Sequence, residues 1–152
     1  MKNRINLAGE FYALHKLLLK GYDATFTLGN TKKVDILMFN PNNKKHFRVE
    51  VKASRKAPKE RLFGKNMAWL MNEKHETYLE TDNDLVYFFV FMPKDSSPPI
   101  CFIVPSKDVA SYVTWENEQW RKYHSPKSNK MRKFRIPLDG DSPYKDNFQV
   151  FE

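Results

Sequence analysis

The chain has 152 residues, a length that fits one domain and leaves little room for two. Its residues are 41% hydrophobic and 14% aromatic, enough for a buried core, which excludes an intrinsically disordered chain. No apolar run is long enough to span a membrane, and the interrupted N-terminal leucines exclude a signal peptide. The single cysteine, Cys101, excludes an internal disulfide and a Cys-based zinc site, which predicts a reducing, cytoplasmic setting.

The charge of the chain is positive and unevenly distributed. Lys and Arg total 26 and Asp and Glu total 18, giving a net charge of +8. Residues 44–65 hold nine basic and two acidic side chains, and residues 121–135 hold seven basic side chains and no acidic one. This asymmetry favours a nucleic-acid partner, and the alternative is a pair of solvated basic loops.

The first half of the sequence predicts a helix followed by three strands. Residues 4–20 have the apolar spacing of an amphipathic helix, and Gly21 is a suitable C-terminal cap. Three apolar runs follow, and Asn, Gly and Pro residues separate them as turns. We expect an antiparallel meander whose strands are Tyr22–Leu28, Lys33–Phe39 and Phe47–Ala53.

The second half predicts a helix over residues 66–80, two buried strands at Leu85–Met92 and Ile100–Val104, and a helix that begins near Ser106 as its N-cap. The predicted class is α/β, with a mixed central β-sheet flanked by helices. The chain is expected to be a single domain over 1–152. Within it, residues 121–152 are a basic, Pro-containing extension packed on or beside the rest.

Four charged residues fall at unusual places in these elements. Glu10 lies inside the apolar arc of the first helix, where a carboxylate needs a cation, a metal or a strong hydrogen-bond donor. Asp35 lies in the second predicted strand, and Glu50 and Lys52 share one face of the third. If those strands pair, Asp35 and Glu50 meet, and hard oxygen ligands of this kind suit Mg²⁺ or Mn²⁺.

These residues resemble the motifs of the PD-(D/E)xK nuclease superfamily, whose members include restriction endonucleases and Holliday-junction resolvases. The resemblance covers roughly residues 4–92 and rests on three short segments and the αβββαβ order of elements. The segments are Gly9-Glu10, Val34-Asp35 and the run Val-Glu-Val-Lys-Ala-Ser at 49–54. The family often has Pro before its Asp, where this chain has Val34, a departure that leaves the ligands untouched.

The resemblance implies a restriction-endonuclease-like core and a metal-dependent endonuclease that hydrolyses DNA. Asp35, Glu50 and the Val51 backbone carbonyl would bind Mg²⁺, for which Mn²⁺ can substitute. Lys52 would position the attacking water, and Glu10 would bind a second metal or a metal-bound water. Two alternatives stay open: an inactive nucleic-acid-binding module of the same fold, or an assembly protein for a larger nuclease complex.

Further side chains are expected to contact nucleic acid. Lys74 and His75, on the helix predicted over 66–80, could touch the scissile phosphate, while an exposed amphipathic helix is the simpler interpretation. The basic segments supply the remaining predicted contacts: Ser54, Arg55, Lys56, Lys127, Lys130, Arg132, Lys133 and Arg135. Because one site of this type cuts one strand, double-strand cleavage would require a homodimer or a partner subunit.

Overall fold

The computed structural model describes residues 4–28, 34–124, 129–138 and 142–152. The helices are α1 (Arg4–Leu19) and α2 (Ser106–Arg121), and short 3-10 helices cover Glu73–Glu76, Glu80–Asp82 and Phe148–Phe151. The strands are β1 (Asp23–Phe26), β2 (Ile36–Asn40), β3 (Lys45–Ser54), β4 (Lys59–Glu60), β5 (Gly64–Asn72), β6 (Leu85–Phe91), β7 (Ile100–Pro105) and β8 (Met131–Pro137). No helix among these described residues is long and apolar enough to cross a membrane.

The central sheet has five strands in the order β1-β2-β3-β6-β7. Its first three strands are antiparallel neighbours, which confirms the predicted meander; Lys33, where the second strand was expected to begin, lies outside the described residues. Strand β6 runs parallel to β3, and β7 runs antiparallel to β6, so the sheet is mixed as predicted. The β2–β3 register pairs Ile36 with Val49, which places the preceding residue, Asp35, opposite Glu50.

Helix α1 packs on one face of this sheet and crosses β3 closely. A Cβ atom on Gly9 would lie 2.5 Å from the Cβ of Ala53, so only glycine allows this approach. The helix ends as predicted at Gly21, whose φ of +84° is accessible to glycine without strain. The amides of Gly21 and Tyr22 donate to the carbonyls of Leu18 and Leu17, which is the Schellman arrangement.

The two faces of the central sheet bury different cores. The first core lies under α1 and includes Val49, Val51 and Ile103, with Phe151 from the C-terminal 3-10 helix. The side-chain amides of Asn40 and Asn43 hold that C-terminal segment by donating to the Phe151 carbonyl. The second core lies under α2 and a three-stranded antiparallel sheet of order β4-β5-β8.

The helix predicted over residues 66–80 is wrong, because strand β5 occupies its first half, to Asn72, and only short 3-10 turns follow. Met67, Trp69 and Met71 alternate inward into the second core, which is the two-residue period of a strand. Strand β8 pairs with β5 from Asn66 to Asn72, and Trp69 lies opposite Phe134. This pairing overrides the helix propensity of a segment rich in Met, Ala and Leu.

The two later buried strands are confirmed as β6 and β7, and α2 follows them as expected. The expected capping role of Ser106 is wrong, since Pro105 occupies the N-cap position and Ser106 is the first helical residue. The Ser106 hydroxyl instead donates to the Asp82 carbonyl at 2.7 Å, which joins α2 to the loop before β6.

Candidate active site

The candidate site is built on the middle of β3, where alternate side chains leave opposite faces of the sheet. Val49 and Val51 enter the first core, so Glu50 and Lys52 both point to the other face. The Lys52 Nζ lies 2.6 Å from Glu50 Oε1. The glutamate side chain is only 8% exposed, whereas that of the lysine is 28% exposed, so the pair is buried at one end and open to solvent at the other.

His75 is a second partner of Glu50. It lies in the 3-10 helix after β5, and its Nδ1 accepts the backbone N–H of Asn72 at 3.0 Å. The other ring nitrogen, Nε2, lies 3.7 Å from Glu50 Oε1. The Tyr87 ring, directly across from Glu50 on β6, packs edge-on against the His75 ring at 6.0 Å.

These neighbours set the ionisation of Glu50. Burial acts to raise its pKa, but the contacts with His75 and Lys52 outweigh burial and lower the pKa to about 2. The same burial, with the charge of Glu50 beside it, raises the pKa of the Tyr87 hydroxyl far above its usual range. Glu50 Oε2 is buried and accepts no hydrogen bond from any described residue. The site therefore holds an ionised carboxylate with one oxygen that none of the described residues satisfies.

Asp35 reaches the same stretch of β3 from the start of β2. Its backbone N–H donates to the Val49 carbonyl at 2.9 Å, as a ladder residue does. Its carboxylate Oδ2 accepts the Val51 N–H at 2.8 Å, so a side-chain oxygen takes the place of a strand carbonyl there. In a strand, the backbone N–H and C=O of one residue point toward the same neighbouring strand. Because the Val51 N–H points to Asp35, the Val51 carbonyl also points toward Asp35.

Glu10 is buried, as the sequence predicted, but it comes from α1 on the opposite face of the sheet from Glu50. Its neighbour Gly9 contacts Val51 and Ala53, which places this part of α1 over the same segment of β3. Within the described ranges, no three His, Cys, Asp or Glu side chains are grouped to hold a metal ion. The structure thus brings Glu50 to Lys52 and Asp35 to Val51, without a cluster of three carboxylates.

Two of the arginines expected to contact nucleic acid are buried in ion pairs. Arg132 is 7% exposed and pairs with Glu76, and Arg135 is 6% exposed. The Arg135 guanidinium lies 3.0 Å from Glu116 and 2.8 Å from Glu60. Burial raises the pKa of Glu116, although Arg135 beside it acts in the opposite direction. The expectation that these arginines face a phosphate backbone is therefore corrected, because both stabilise the interior.

The other predicted contacts are distributed over the surface. Arg55, Lys56 and Lys133 line a groove of about 420 Å³, and Lys94 adds a fourth cation. We call these four residues the basic groove. Ser54, on β3 just before this groove, uses its hydroxyl oxygen to accept the Lys56 N–H.

Three further lysines complete the predicted set. Lys74 is exposed beside the buried His75, so the short 3-10 helix turns the histidine and not the lysine toward Glu50. Lys130 is exposed and lies 3.6 Å from Glu73. Lys127 lies outside the described residues.

The lowered pKa of Glu50 predicts how stability changes with acid. A carboxyl whose pKa falls from 4.5 to about 2 on folding stabilises the folded state above pH 4.5. That contribution, roughly 3 kcal/mol, is lost as the pH falls from about 4.5 toward 2. We expect Glu50→Gln to make the urea midpoint less dependent on acid, while Glu118→Gln, at an exposed site on α2, keeps the wild-type dependence. Equal acid dependence in Glu50→Gln and wild type would contradict this assignment.

The buried position of Arg135 predicts a loss of stability on its removal. Arg135→Met leaves Glu60 and Glu116 without their shared cation, and we expect unfolding to become easier by about 3–5 kcal/mol in urea denaturation. Lys130→Met, at a side chain 79% exposed, is the matched control and should change stability by less than about 0.5 kcal/mol. If Arg135→Met were as stable as wild type but bound DNA more weakly, the interior role of Arg135 would be contradicted. Arg135 would then be one of the nucleic-acid contacts that the sequence predicted.

No protein-family model matches the sequence, and no curated protein is significantly similar to it. Among solved structures, the chain is similar to the bacterial homing endonuclease I-Ssp6803I, with 13% identity, a TM-score of 0.58, and coverage of 99% of this chain and 91% of that one. It also matches Hjc, a Holliday junction resolvase from the archaeal hyperthermophile Archaeoglobus fulgidus, with 12% identity, a TM-score of 0.46, and coverage of 88% and 91%. The chain therefore shares the fold of this homing endonuclease, a mixed central sheet flanked by helices, which is the α/β class that its sequence predicted.

Proposed function

We propose that the protein is a metal-dependent endonuclease that hydrolyses phosphodiester bonds in DNA. The observation that carries this proposal is the arrangement about Val51. The Asp35 carboxylate binds the Val51 N–H, and the residues on either side of Val51 form the Glu50–Lys52 pair. The β2–β3 register thus brings Asp35 beside Glu50 and Lys52, which lie 15 and 17 residues later in the sequence.

The oxygen ligands available at this site fit a hard divalent cation. Asp35, Glu50 and the Val51 carbonyl supply oxygen ligands, which Mg²⁺ and Mn²⁺ prefer. Glu50 Oε2 supports the fit directly, because a buried carboxylate oxygen without a hydrogen bond is costly unless something else satisfies it. A cation held there would make its bound water acidic and would neutralise charge on the phosphate.

The side chains of the site would have different roles in the reaction. Glu50 is kept ionised through the neutral range by Lys52 and His75, so it can act as a ligand without first losing a proton. Lys52 reaches solvent at its amine end, where it can hold a water and stabilise negative charge that develops on a phosphate. Glu10 would join through a second metal or a bound water from the α1 face of β3, where Gly9 lies against Ala53.

The basic groove would receive the DNA backbone next to this site. It begins at Arg55, three residues after Lys52 and so about 10 Å farther along the chain. One of its four cations, Lys133, pairs with Glu60, the acidic residue of the groove, at 3.2 Å. The other three, Arg55, Lys56 and Lys94, are outside that pair. A surface of this kind binds phosphates without reading sequence. Two copies of the chain, or a partner subunit, would then cut both strands.

The experiment is cleavage of supercoiled plasmid by the purified protein in Mg²⁺ or Mn²⁺, beside a reaction in EDTA. We expect metal-dependent nicking that falls by at least about 100-fold in Asp35→Ala and in Lys52→Met, because each removes a group that acts on the reacting phosphate or its water. Asp23→Ala, at an exposed carboxylate on β1, is the matched control and should cleave normally.

Two results would contradict the proposal. Nicking that survives in Asp35→Ala and Lys52→Met would place the activity elsewhere. A wild-type protein that binds DNA but cuts no plasmid, junction or flap substrate would favour an inactive binding module or an assembly protein of this fold.

A further inference from the structure

A second cavity lies away from Glu50, at the C-terminal end of α2. Its volume is about 620 Å³, within the usual range of sites for small organic groups. Aromatic rings form most of its wall: Phe63 from the turn between β4 and β5, and Trp120, Tyr123 and His124 from the end of α2. We call this the aromatic cavity. The nuclease site described above uses none of its residues.

The rings of the aromatic cavity are held in place by contacts of their own. Trp120 and His124 stack with parallel planes at 4.3 Å, and His124 Nδ1 lies 3.0 Å from the Trp120 carbonyl, to which it donates. The Arg135 guanidinium lies over the Phe63 ring at 4.7 Å. Tyr123 is different, because 71% of its surface is exposed. The cavity therefore has fixed walls and one aromatic ring available to a planar partner.

The charge around the aromatic cavity favours an anionic partner. Arg61 lines it, and Arg121 and Lys122 are exposed on the adjoining end of α2. Its only acidic lining residue among those described is Glu60, which pairs with Arg135 at 2.8 Å and Lys133 at 3.2 Å. Glu60 also lines the basic groove, so the cavity and the groove meet at this residue.

We propose that the aromatic cavity binds an unpaired nucleobase of a DNA strand whose phosphates pass over the basic groove. Stacking on an aromatic ring beside cationic side chains is the way proteins hold unpaired bases, and it tolerates any base. This inference rests on the proposed function for its substrate class and adds a preference within it. The protein would bind DNA with an unpaired nucleotide more tightly than fully paired DNA.

The test uses short duplexes with and without a single unpaired 2-aminopurine, titrated with the full chain in EDTA so that no metal-dependent cleavage occurs. We expect quenching of 2-aminopurine and tighter binding of the bulged duplex. Tyr123→Ala should weaken binding of the bulged duplex by about tenfold and leave the paired duplex unchanged. Tyr123→Phe should bind as wild type, because stacking needs the ring and not the hydroxyl. Phe11→Ala, at an exposed ring on α1, is the matched control and should change neither affinity.

The inference is overturned if Tyr123→Ala binds the bulged duplex as wild type does, or if it weakens both duplexes equally. Tyr123 is exposed, so its replacement should leave the fold intact, and a far-ultraviolet circular dichroism spectrum would check this. Failure of the proposed function is distinguishable, because plasmid cleavage depends on Asp35 and Lys52 while this binding is measured without metal. If the wild-type protein bound both duplexes equally, the inference would be refuted. The aromatic cavity would then be a candidate contact for a protein partner.

Discussion

Strand β3 has to serve both faces of the central sheet, and the rest of the molecule is arranged around that requirement. One set of its side chains, Val49 and Val51, completes the core under α1. The alternate set, Glu50 and Lys52, is directed to the other face. A one-residue slip in the pairing of β2 with β3 would exchange the two sets, which would bury the charges under α1 and remove the valines from the first core. The apolar packing under α1 therefore fixes the register on which the candidate site depends.

The site also depends on a balance between burial and charge. Glu50 is as well buried as the core residues beside it, and burial alone would favour its protonated form. Lys52 and His75 reverse that preference, while Oε2 is left without a donor from the described residues. The interior pair of Arg135 and Glu116 also leaves a buried glutamate oxygen, Glu116 Oε2, without a hydrogen bond among those residues, but there the cation is enclosed with its partners and joins α2 to β8. Glu50 differs because its cation, Lys52, reaches solvent, so a ligand can approach the pair.

The sequence predicted the elements whose patterns are local. Helix α1, the β1–β2–β3 meander and the buried strands β6 and β7 follow from apolar spacing and turn residues, and so does the placing of Asp35 opposite Glu50. Strand β5 was missed because its partner, β8, lies far downstream, and no local pattern reports a distant pairing. Arg132 and Arg135 were misassigned because a basic segment shows charge but not which of its side chains the rest of the fold covers. His75 had a signal that could have revealed its orientation, since Asn72 and His75 have the three-residue spacing of a capping box.

The most direct test of the central claim is to measure metal binding at Glu50 and Asp35, independently of cleavage. Mn²⁺ would be titrated into the protein with a non-hydrolysable DNA duplex, and free Mn²⁺ followed by electron paramagnetic resonance. The account predicts a bound Mn²⁺ whose affinity falls at least about tenfold in both Glu50→Gln and Asp35→Asn, while Asp23→Asn binds as wild type. Mn²⁺ affinity that is the same in all four proteins would contradict the assignment of these two carboxylates as metal ligands.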